Sequence, residues 1–268
     1  MEHILLPTTI EFSSTDDRNT GTVLITPCRQ GYGTTIGNAL RRVLLSSLPG
    51  AAVETVKITG VQHEFSSIEG VREDVVEIIL NVKQIAVKSF ADQPVVLHLK
   101  KKGTGDVTAA DFEKNSDIEI VNPELKLATI TDDKTTFEME VTIGRGSGYV
   151  PAAEKNTKDF DLGTIAIDSL YTPIRDVGYN VENTRVGDVT DYEKLTLTVQ
   201  TNGTVDPKDA VSQATSILMD HFRLVLAVAE EGEMSGKTYE EPATESMTEE
   251  VAEEVVEEKP KKTRKKKE

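Results

Sequence analysis

Gly31, Gly33 and Gly37, in the string GYGTTIG, are the residues whose spacing comes nearest to a recognisable chemistry. Glycine amides at a helix N-terminus cradle phosphate, and this string lies between a strand-like run and a helical one. A nucleotide-binding enzyme is therefore the first hypothesis, and three features count against it. Pro27, Cys28, Arg29 and Gln30 separate the strand from the glycines, whereas a dinucleotide turn is tight. No lysine follows the last glycine in the manner of a P-loop, and the downstream chain lacks the βαβα alternation of a parallel sheet. Glycines that let a helix pack closely are the simpler account.

The other candidates are weaker. GRGSGYVPA, residues 144–152, is glycine-rich and carries an arginine, but it follows a strand and leads into polar NTKDFD, which predicts a flexible β-connection. His3, His63, His98 and His221 form no H-x-x-H or H-E-x-x-H grouping. Cys28 is the single cysteine, which rules out an internal disulfide and a multi-cysteine zinc site, and it has no histidine nearby in sequence. Carboxylates are too numerous for any pair to stand out. No catalytic residue, metal or cofactor is expected.

Composition narrows the class further. A chain of 268 residues has ample length for a sizeable core in one or two domains. A net charge of −16 argues against nonspecific affinity for phosphate backbones, which needs an excess of Lys and Arg. The N-terminal MEHILLPTTIEF lacks the pattern of a secretory signal, and no apolar run approaches the roughly 18–20 residues that span a bilayer. The expectation is a soluble cytoplasmic protein with a reduced thiol.

The elements around these residues say more. From Gly31 to Gly50 the chain reads as a glycine-punctuated entry, an amphipathic helix and a Pro-Gly stop. Ile36, Ala39, Leu40, Val43, Leu44, Ser47 and Leu48 share one broad face at about 100° per residue. The opposite face carries Leu45 among Asn38, Arg41, Arg42 and Ser46. An apolar anchor set among guanidinium forks is how a second protein is gripped. A surface helix with one stray leucine fits the pattern equally well.

Strands are predicted over Ile4–Phe12, Gly21–Pro27 and Ala51–Val61, and a second helix over Val71–Lys83 with Glu73 and Asp74 in its first turn. From Ile85 to Tyr171 the reading is nearly all β, with runs at Val95–Lys101, Ile118–Val121, Leu125–Ile130, Phe137–Ile143 and Leu162–Ile167. A strand at Leu195–Gln200 leads into a long helix, Pro207–Ala229, with Asp206 as its cap. Its stripe, Val211, Ala214, Leu218, Phe222 and Val225, is widened by Ile217, Leu224 and Leu226. Such breadth suits its own domain plus a second copy, although one face on an ordinary core is the simpler account. After Ala229, Glu230–Glu258 holds twelve glutamates against one lysine, and Lys259–Lys267 has seven basic residues in nine. That tail is read as disordered.

Several of these blocks resemble one family. GYGTTIGNALRRVLLSSLPGAAV, VQHEFSSIEGVREDVVEIILNVK, VTAADF, GRGSGYVPA, YTPIRDVGYNVENTRV and TNGTVDPKDAV are similar, in order, to the amino-terminal domain of the bacterial RNA polymerase alpha subunit. The resemblance implies an α+β fold. A discontinuous dimerisation subdomain, about 1–49 and 172–229, would carry two long helices on a small antiparallel sheet. A mostly-β subdomain, about 50–171, would be inserted in it.

The resemblance also implies a non-catalytic assembly subunit of DNA-dependent RNA polymerase, a homodimer on which the beta and beta-prime subunits assemble. Arg42 and Leu45 match the family's beta-contact positions, with Asn38 and Arg41 beside them. Glu77, Lys83 and the Ile167–Pro173 region match the beta-prime positions. The homodimer interface is expected at Ile36, Leu40, Val43 and Leu44 on the first helix and Val211, Leu218, Phe222 and Val225 on the last. Relatives commonly continue into a helical carboxy-terminal domain that binds upstream DNA. Here the acidic-then-basic tail follows, so DNA contact is expected only through the complex, or weakly through the basic tail. A nucleotide-binding enzyme built on Gly31–Gly37 and a basic-tail nucleic-acid adaptor remain the alternatives.

Overall fold

A computed structural model describes residues 6–14, 18–156, 160–187 and 189–231. In chain order the strands are β1 (Thr9–Ser14), β2 (Thr20–Cys28), β3 (Pro49–Ile58), β4 (Val87–Ser89), β5 (Val95–Lys102), β6 (Gly105–Thr108) and β7 (Ile118–Ile120). They continue with β8 (Lys126–Ile130), β9 (Thr136–Ser147), β10 (Tyr149–Val150), β11 (Thr164–Ala166), β12 (Ser169–Leu170), β13 (Ile174–Val186) and β14 (Val189–Thr201). The α-helices are α1 (Tyr32–Ser46), α2 (Val75–Val82) and α3 (Pro207–Glu231). The class is α+β, as expected, and all strand pairings are antiparallel.

One sheet, ordered β1-β2-β14-β13, joins strands from opposite ends of the described chain. In β2 the residues alternate in and out, so Val23 and Ile25 meet Leu195, Leu197 and Val199 of β14 beneath α1. Leu40 and Leu44 of α1, Leu48 just after it, and Ala210 and Ala214 of α3 close this first core. The larger sheet, ordered β5-β9-β3-β4-β7 with β11 beside β3, is built from the residues between. Its core sets Val56, Leu99, Phe137, Met139 and Val141 against α2. Two ribbons, β6–β8 and β10–β12, complete the strands. Residues up to Leu226 form one compact unit, and the second begins at Ala227.

Three expectations are corrected. The helix predicted over Val71–Lys83 begins only at Val75, where the Asp74 carboxylate accepts from the Glu77 amide at 2.8 Å. Glu73 lies outside it as a buried carboxylate, taking the Thr129 amide and hydroxyl at 2.6 and 2.7 Å. These hydrogen bonds hold its carboxyl below the usual range although burial, the largest single influence, pushes it up.

GRGSG is no flexible connection. β9 continues through Gly144–Ser147 and pairs with Pro49–Ala52 of β3. At Gly146 a Cβ would stand 3.0 Å from the Tyr171 ring, so the strand needs glycine to pass beneath that aromatic.

Ile174–Val186 forms a 13-residue strand that the sequence did not announce. A bulge between Ile174 and Asp176 shifts the side-chain parity, so the inward residues Ile174 and Val177 are three apart and the alternation is hidden. The strand predicted at Ile4–Phe12 is instead Thr9–Ser14, with Met1–Leu5 outside the described residues. The acidic-then-basic tail beyond Glu231 also lies outside them.

Candidate functional site

The glycine string at α1 already has its anion. Gly31, at φ +86°, precedes the helix, and the Glu193 carboxylate accepts the Gly31 and Gly33 amides at 2.8 and 2.9 Å. A buried carboxylate thus takes the place a phosphate would need. A Cβ on Gly37 would stand 2.8 Å from the Tyr179 ring and 3.0 Å from Leu195, so that glycine lets α1 lie close on β13 and β14. Cys28 is buried nearby, and burial, then the Glu193 charge, pushes its thiol up, away from the thiolate a nucleophile requires. Among the described residues no group of three or more His, Cys, Asp or Glu is placed to hold a metal, and no helix is long and apolar enough to cross a membrane.

What α1 offers outward is a surface. Asn38, Arg41, Arg42 and Leu45 are all exposed, Leu45 by 37%, on the side away from the sheet. Its inner side corrects two of the expected dimer residues. Leu40 and Leu44 lie buried in the chain's own core and have no surface to give a second chain. Ile36 and Val43 are half-buried at the edge of that core. On α3, Val211 and Leu218 are also half-buried, whereas Phe222 is 65% and Val225 67% exposed. Met219, Leu224 and Leu226 are exposed too, so the helix between residues 219 and 226 is apolar on several sides without cover.

A second surface gathers around α2. Glu77 is exposed on its outer side. Lys83 follows the helix and binds Asp168 at 2.8 Å. The Ala152 amide, then Lys83, hold the Asp168 carboxyl below its usual range, with a smaller contribution from the Tyr149 hydroxyl. Ile167, expected here as a contact, is instead buried at 2% exposure in the larger core.

Beneath this segment lies a polar network that no local pattern announced. The Lys155 amine donates to the Glu54 carbonyl at 2.9 Å, to the Ile167 carbonyl and to the Ser169 hydroxyl at 2.6 Å. Burial pushes that ammonium down despite the nearby Glu54 and Asp168 carboxylates. Tyr171 donates to Glu54 Oε1 at 2.6 Å, and burial, together with that bond, pushes its phenol up to about 12. The network ties β3 to the strand that ends in Leu170.

The comparisons with known proteins agree with this architecture. The family model for the RNA polymerase Rpb3/RpoA insert domain matches residues 56–172. The DNA-directed RNA polymerase subunit alpha of Clostridium kluyveri is 48% identical over 217 residues, 81% of this chain and 69% of that protein. The proteins of the same name from Symbiobacterium thermophilum and Clostridium botulinum are 48% and 46% identical over 218 residues, again 81% of this chain and 69% of theirs. With identity this high over 81% of its length, the chain belongs to the bacterial DNA-directed RNA polymerase alpha subunit family.

Proposed function

We propose that this chain is the non-catalytic assembly subunit of a DNA-dependent RNA polymerase in the cytoplasm, working as a homodimer that carries the beta and beta-prime subunits. Nucleotidyl transfer belongs to those partners, and DNA is met only through the complex. The observation that carries the proposal is the uncovered apolar stretch of α3, Met219 to Leu226, on a helix whose first half is already packed. Each side chain there gains about 1.5–3 kcal/mol if fully buried, and each starts about half-buried. Ten of them across a two-fold dimer supply about 10 kcal/mol, against an association cost of about 4–15 kcal/mol. The half-buried Ile36, Val43, Val211 and Leu218 therefore belong to the interface as well.

The division into a dimerisation subdomain, 1–49 and 172–229, and an inserted subdomain, 50–171, is supported by the two separate cores. The exposed Arg42 and Leu45, flanked by Asn38 and Arg41, are the beta contact. Glu77 and Lys83 belong to the beta-prime contact.

Light scattering on the purified chain, followed by co-expression with tagged beta, tests the proposal. A particle of twice the chain mass that is captured by beta is the expected result. A folded monomer at micromolar concentration that ignores beta overturns it.

A further inference from the structure

We propose that the cleft between the 112–116 segment and β7 is a small-molecule site. Its ligand is a neutral, planar heteroaromatic that carries an N–H donor beside a ring-nitrogen acceptor. The site opens on the larger core and shares no residue with the assembly surfaces of α1, α2 and α3.

The cleft is a hairpin split open by its neighbours. Asn115 and Ile118 form an antiparallel bridge, and the next pair of such a hairpin would be Glu113 with Ile120. Instead the Glu113 amide donates to the His98 carbonyl of β5 at 2.8 Å, while Ile120 pairs with Val87 of β4. Phe112 likewise bridges to Leu99 of β5. The two arms are fastened to different strands, so the space between them exists before any ligand arrives. It measures about 450 Å³, within the roughly 300–1,000 Å³ of ligand pockets.

The walls describe the occupant. Leu97, Ala109, Phe112 and Ile118 make a buried apolar floor, and Phe90 stands 65% exposed at the mouth. Phenyl rings at floor and mouth favour a flat ring between them. The polar groups come from one strand edge. The Val121 amide donates to the Ala86 carbonyl and the Phe90 amide to the Asp117 carbonyl, each at 2.9 Å. Alternation along β7 therefore turns the amide and carbonyl of Ile120 the other way, into the cleft. A ring with an acceptor beside a donor satisfies both at once.

Other occupants fit less well. Polypeptide cannot run through, because the Asn115–Ile118 bridge closes one end and the Ala110 amide, donating to the Pro123 carbonyl at 2.9 Å, closes the other. An acyl chain would bury the Ile120 amide and carbonyl without partners. An ion finds no excess charge to answer it. At the rim the Glu113 and Glu119 carboxylates are balanced by the Lys114 and Lys88 ammoniums, Lys88 lying 3.9 Å from Glu119.

The probe is α-carboline, a neutral fluorescent tricycle with adjacent N–H and ring nitrogen, titrated with the full chain. It should bind saturably, one per chain, with a Kd of about 0.1 mM. Its N-methyl derivative, which has no donor for the Ile120 carbonyl, should bind about tenfold more weakly. Ala110 is exposed at the mouth, so Ala110→Trp should plug the cleft, weaken binding about tenfold or more, and leave melting temperature and beta capture unchanged. Should that variant misfold, methyl NMR of the wild type decides, with probe-induced shifts expected at Leu97 and Ile118. No saturation up to about 1 mM overturns the site. So does full affinity in a folded Ala110→Trp, or shifts at Leu218 and Leu226 in place of Leu97 and Ile118. Equal affinity for the N-methyl derivative overturns the hydrogen-bonded ligand class.

Discussion

Glu193 and Gly33 lie 160 residues apart, yet the carboxylate of one accepts the amide of the other at 2.9 Å at the first turn of α1. With the Gly31 amide on its second oxygen, Glu193 supplies the negative charge that the helix N-terminus favours. It also pins α1 to β14, so the outward direction of Arg42 and Leu45 is set by a residue distant in the sequence.

Glu193→Ala should therefore destabilise the fold. The buried Gly33 amide loses its acceptor at about 1–3 kcal/mol, and the more exposed Gly31 amide loses its own at a smaller cost. Glu193→Gln keeps one carbonyl oxygen and should lose less. Urea unfolding of the three proteins measures the order, and an alanine variant as stable as the wild type would refute the capping role.

Gly37→Ala tests the close packing of α1. Alanine favours a helix by about 1 kcal/mol over glycine. Its Cβ, however, would stand 2.8 Å from the Tyr179 ring, and overpacking costs about 1–3 kcal/mol. The expected net result is a lower melting temperature, and a higher one would show that α1 has room to move outward.

The two outward surfaces should separate by mutation. Arg42→Ala and Leu45→Ala should leave dimer mass and melting temperature unchanged and weaken beta capture about tenfold or more each. Val225→Asp should instead yield monomer or aggregate, because it sets a charge in an interface that must exclude water. Light scattering beside pull-down distinguishes them; a monomeric Arg42→Ala would mean the faces are exchanged.

Tyr171 predicts an alkaline weakness. Its phenol ionises near 10 when unfolded but only at about 12 when folded, beside Glu54. The stabilisation is complete below pH 10 and is lost as pH rises from 10 toward 12, by about 2 kcal/mol. In Tyr171→Phe that slope should flatten. Identical pH profiles of denaturant midpoints in the two proteins would exclude the phenol as the cause.

How much of this was legible depended on the range of the interaction. α1 and α3 were readable because their apolar residues recur within one helix, and the outward position of Leu45 among arginines follows from the same geometry. The α+β class came from the family resemblance, and the helical stripes and short alternating runs are consistent with it. Ile167 was carried over from the resemblance, which matches a segment and does not show which way one side chain of it faces; that side chain lies in the core. β13 was hidden by its bulge, and GRGSG read as a loop because nothing local shows that Tyr171 lies across the strand.

The sequence alone determined the amphipathic helices, the strand-rich middle and the family. Only the tertiary structure decided that Leu40 and Leu44 face the chain's own core and that Glu193 occupies the glycine turn. The physical reason is that periodicity assigns residues to a face, while what that face meets is set by contacts between positions as far apart as Gly33 and Glu193.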